Sequence, residues 1–72
     1  MIKRIVGKIS LFKRGKARRF LVTQKEKMDT LIHIDIVEKK RLLSSEFDIE
    51  VSGNPTVVEY WCKTTTAFLN SL

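Results

Sequence analysis

Five of the seven residues in segment 13–19 are cationic (Lys13, Arg14, Lys16, Arg18 and Arg19), and Phe20 follows them directly. Guanidinium and ammonium groups at this density concentrate positive potential at one place, where they neutralise phosphates and release condensed counterions. Arg14, Arg18 and Arg19 carry the planar fork that grips a phosphate through two hydrogen bonds, whereas Lys13 and Lys16 act as point charges. Arg4 and Lys8 extend the same basic half of the chain. Residues 1–28 hold ten Lys or Arg against one acid, Glu26, while residues 29–72 hold four against seven acids. A net charge of +6 distributed this unevenly points to a polyanionic partner.

Other side chains with chemical potential are isolated. His33 and Asp35 stand two apart, a spacing at which a carboxylate orients an imidazole as a general base, but no nucleophile completes the set. There is no glycine-rich phosphate loop, paired-carboxylate motif or metal-ligand spacing. One cysteine, Cys62, and one histidine, His33, offer too few soft ligands for structural zinc. No enzyme activity, catalytic residue, metal or cofactor is therefore expected. No apolar run approaches the roughly 18 residues that cross a bilayer. Lys3, Arg4 and Lys8 also interrupt any signal-peptide-like stretch near the start, so the expected address is cytoplasmic, with no membrane partner.

The elements that would present the cations follow from periodicity. One domain, residues 1–72, is expected. Apolar alternation suggests strands over residues 2–12, 30–38 and 46–52, the clearest being Ile32, Ile34 and Ile36 against His33, Asp35 and Val37. Gly15 supplies a turn, and the β-rich residues 20–23 suggest a further strand over 19–25, which makes the cationic segment a hairpin tip. Gly53-Asn54-Pro55 then reads as a strand end, an N-cap and a first helical position, starting a helix over 55–71 with Trp61 turned inward. The expected fold is α+β, a four-stranded antiparallel β-meander packed against one C-terminal α-helix. The β-branched residues at 56–58 and 64–66 keep an alternative, an all-β small barrel with a fifth strand. Ile2, Val6, Phe12, Leu31 and Val37 fall outside the expected core and suggest a homodimer seam in so small a chain.

A four-stranded meander with a basic hairpin and a closing helix resembles, in architecture, the single-stranded-nucleic-acid-binding folds of the Whirly and PUR type. That resemblance implies dimers or paired repeats whose sheet meets the nucleic acid. The function expected is a small basic nucleic-acid-binding protein of little sequence specificity, single strands favoured over duplex. Its contacts would be Arg4, Lys8, Lys13, Arg14, Lys16, Arg18, Arg19 and Phe20. The alternative is a non-enzymatic protein-interaction module, such as a viral or mobile-element accessory or inhibitor factor, that docks on an acidic surface or self-assembles.

Overall fold

A computed structural model describes residues 1–72 as β1 (Ile2–Ser10), α1 (Arg14–Lys27), β2 (Ile32–Lys40), β3 (Ser44–Gly53) and α2 (Pro55–Asn70). The three strands form one antiparallel sheet in the order β1-β3-β2, so the last strand lies between the first two. Ser10 pairs with Ser44 at one end of β3, and Ile32 pairs with Gly53 at the other. The chain leaves β1 at the first end, and α1 carries it back to start β2 at the second.

Alternation on β3 divides the sheet into two faces. Ser45, Phe47, Ile49 and Val51 are buried on one face, while Glu46, Asp48 and Glu50 alternate onto the other. Ile9, Ile32 and Ile34 join the inner face, against which α2 sets Val58, Trp61, Cys62 and Leu69 and α1 sets Ala17 and Leu21. Each fully buried Phe, Ile or Leu contributes about 1.5–3 kcal/mol. Gly7 lets α2 approach β1 closely, because a Cβ at this position would stand 3.0 Å from Leu69 Cδ1. A hydrogen bond from Trp61 Nε1 to Gln24 Oε1 (3.1 Å) ties the two helices together.

Both expected topologies are overturned, although the α+β class holds. The chain forms three strands and two helices, not a four-stranded meander with one helix. Residues 19–25, expected as a strand, lie within α1, because Ala17, Phe20, Leu21 and Gln24 recur at i, i+3, i+4 and i+7 and turn one stripe inward. The surrounding Lys, Arg, Gln and Glu are good helix formers, and over fourteen residues they outweigh the four β-rich ones at 20–23. Gly15 makes no turn; Gly53, at φ 140°, is the one glycine with positive φ. The five-strand barrel fails because residues 55–70 are helical. Asn54 Oδ1 accepts from the amides of Thr56 (3.0 Å) and Val57 (3.4 Å), and Pro55 occupies the first turn as expected. With three strands and an intervening helix, the chain also departs from the architecture of the Whirly and PUR type.

Candidate nucleic-acid interface

The cationic segment is the β1–α1 junction and the first turns of α1, not a hairpin tip. After Ser10 the chain turns, with the Lys13 amide donating to Ser10 O at 3.0 Å. The Leu11 amide donates to Leu43 O at 2.9 Å, which holds this junction against the β2–β3 turn. At the N-cap of α1, Lys13 makes no side-chain cap bond, and the first turn contains no acid. The amides of Arg14, Gly15 and Lys16 find neither a main-chain nor a side-chain acceptor. Lys13, Arg14 and Lys16 thus crowd the positive end of the helix dipole with nothing to balance them.

The expected contact residues divide into distinct groups. Arg18 is committed to the fold: its Nε and Nη2 donate to Glu38 Oε1 and Oε2, each at 2.8 Å, and Ser45 Oγ donates to Glu38 Oε2 at 2.8 Å. The Arg18 hydrogen bonds are the chief reason the Glu38 carboxyl is lowered from 4.5 to about 2, against a partial burial that raises it. Glu38 in turn raises the guanidinium of Arg18. Arg4 is paired on the open sheet face, with Asp48 at 3.3 Å and Glu50 at 3.0 Å. Phe20 stacks on Phe68, ring centroids 3.9 Å apart, which occupies its face. Lys13, Arg14, Lys16 and Arg19 form no ion pair. Lys8, opposite Glu46 in the sheet register, also lines a shallow hollow with Ser10, Lys13 and Asn70 beside the same end of the molecule.

Phe12, expected in a dimer seam, stands 94% exposed next to this cationic junction. The β2–β3 turn adds Leu42 (88% exposed) and Leu43 (73%), flanked by Lys40 and Arg41. Sequence reasoning missed the two leucines, and the signal available was an adjacent apolar pair in a connection that should be polar. Of the other seam residues, Ile2, Val6 and Val37 all fall on the open face of the sheet and are exposed. Val6 and Val37 lie on the open sheet face to either side of Asp48, and Ile2, opposite Ser52, is at the far end, where Leu31 precedes β2. His33 and Asp35 share that open face, opposite Ser52 and Glu50. Cys62 is buried, which pushes its thiol pKa up and keeps it unreactive.

No group of three or more His, Cys, Asp or Glu is gathered as a metal site, and no helix is long and apolar enough to cross a membrane. A scan against protein-family models found none that matches this chain, and searches of curated proteins and of solved structures likewise gave no match.

Proposed function

We propose that this protein binds nucleic acid through the phosphate backbone, using Lys13, Arg14, Lys16 and Arg19 at the N-terminal end and outer side of α1, with little sequence specificity. The observation that carries this reading is three cations on an uncapped helix start that has no acid in its first turn. Each is disfavoured there by about 0.3–1 kcal/mol through the helix dipole. An anion bound at that point reverses the sign: it pairs with the side chains and accepts from the free amides of Arg14, Gly15 and Lys16. Lys25 and Lys27 continue the positive charge along the helix, and Glu26 is its single acid. With cations as the principal exposed polar groups, the surface reads backbone charge and not base edges.

The test is fluorescence anisotropy of labelled single-stranded and duplex DNA and RNA, titrated with the protein at two salt concentrations. A variant with Lys13, Lys16 and Arg19 all changed to Ala is run alongside, its fold checked by circular dichroism. Micromolar binding that weakens with salt, and by at least tenfold in the triple variant, is expected. Absence of binding to all four nucleic acids at low salt refutes the proposal.

A further inference from the structure

We infer that the nucleic acid taken by this surface is single-stranded, its unstacked bases lying on the exposed patch formed by Phe12, Leu42 and Leu43. This rests on the phosphate-binding reading above and adds the class of ligand. The three side chains are the most solvent-exposed large apolar residues of the protein, at 94%, 88% and 73%. They belong to separate segments that the Leu11–Leu43 hydrogen bond brings to one end of the sheet. Apolar surface left wet at one place marks a binding site. What surrounds it identifies the partner: Lys13 and Arg14 follow Phe12 directly, and Lys40 and Arg41 precede the leucines.

A ligand that satisfies both parts needs an anionic backbone and apolar flat faces within a few ångströms of it. A duplex hides its bases in the stack and offers this patch only phosphates, so the apolar part gains nothing. A single strand offers both, and an exposed aromatic ring beside cations accepts a base of any identity. An anionic bilayer also combines charge with apolar depth, but the placement of the cations disfavours it. From the end of the sheet where Ser10 meets Ser44, α1 runs toward the end where Ile32 meets Gly53. Its fourteen residues, about 21 Å long, carry Lys16, Arg19, Lys25 and Lys27 progressively away from the patch. A flat surface laid across the end of the sheet at Phe12, Leu42 and Leu43 meets α1 only at its first turn, whereas a flexible strand with a base on Phe12 can follow the helix.

The experiment compares a 12-nucleotide single strand of mixed sequence with the 12-base-pair duplex, at one salt concentration, for the wild type, Phe12→Ala and Leu42→Ser/Leu43→Ser. Because these side chains are exposed, the variants keep the fold. The single strand is expected to bind at least tenfold more tightly than the duplex. Phe12→Ala should weaken single-strand binding roughly 5- to 100-fold and leave duplex binding within about twofold. Equal binding of the two nucleic acids, or a Phe12→Ala effect that is absent or the same for both, overturns this inference while leaving phosphate binding intact. Binding of neither nucleic acid refutes the underlying reading instead. A parallel arm measures cosedimentation with phosphatidylserine–phosphatidylcholine vesicles. Vesicle binding that Phe12→Ala abolishes, without any preference for single strands, reassigns the patch to a lipid surface and overturns the inference.

Discussion

Arg18 and Arg19 are neighbours of identical type with different tasks, and one carboxylate separates them. Glu38 takes both arms of the Arg18 fork and the Ser45 hydroxyl, which fastens α1 to β2 and β3. Arg19, one residue and about 100° further round the helix, meets no acid and stays available to a ligand. The pair has a defined pH signature. Because the folded Glu38 carboxyl lies at about 2 and its ordinary value is 4.5, its stabilising contribution is fully present above about pH 4.5 and disappears as the pH falls toward 2. Urea denaturation of wild type and Glu38→Gln from pH 7 to pH 2 checks this. The variant should be less stable by about 1–2 kcal/mol at neutral pH, with the difference closing between pH 4.5 and 2. A difference that does not change with pH would mean that the charge on Glu38 contributes nothing to the fold.

At the scale of elements, α1 is built against its own stability at one end. Its last turn holds Lys25 and Lys27, which suit the negative end of the dipole, but its first turn holds Arg14 and Lys16, which oppose the positive end. Lys16→Glu should therefore raise stability by about 0.3–1 kcal/mol, seen as a higher denaturant midpoint, while weakening nucleic-acid binding by tenfold or more. Loss of both properties together would show that Lys16 serves the fold. The two helices also differ in how far they can be read from sequence. α2 is announced by Gly53-Asn54-Pro55, three local signals that agree, and its apolar stripe persists for four turns. In α1 the local signals conflict: Gly15 suggests a turn and residues 20–23 suggest a strand. The stripe Ala17, Phe20, Leu21 and Gln24 emerges only over a longer window, and Gln24 is apolar in neither type nor role, since it accepts from Trp61. The cationic cluster is legible as composition, but its division into Arg18, committed to Glu38, and Arg19, free, depends on a strand partner twenty residues away.

For the molecule as a whole, charge and symmetry can be read together from salt dependence. The open sheet face has an acidic column, Glu46, Asp48 and Glu50, on its central strand, with Val6 and Val37 beside it. A twofold axis that packed two such faces with their centres aligned would have to desolvate this column together with the Arg4 that pairs with Asp48 and Glu50, and the adjacent valines offer little apolar area in return. Nucleic-acid binding by a single copy is then the expected mode, with four unpaired cations, Lys13, Arg14, Lys16 and Arg19, meeting four phosphates. Counterion release from a single strand gives a slope of log K against log salt of about −0.7 per phosphate contact, hence about −3 for this interface. Two copies acting together on one strand would double it to about −6. Measuring affinity across a salt series, with sedimentation velocity on the same samples, separates the two. A slope near −3 with a single 8.4 kDa species in the free protein supports the single-copy mode. A slope near −6 with a dimer shows that the protein pairs through a surface other than the acidic column, and that both α1 helices reach the same strand.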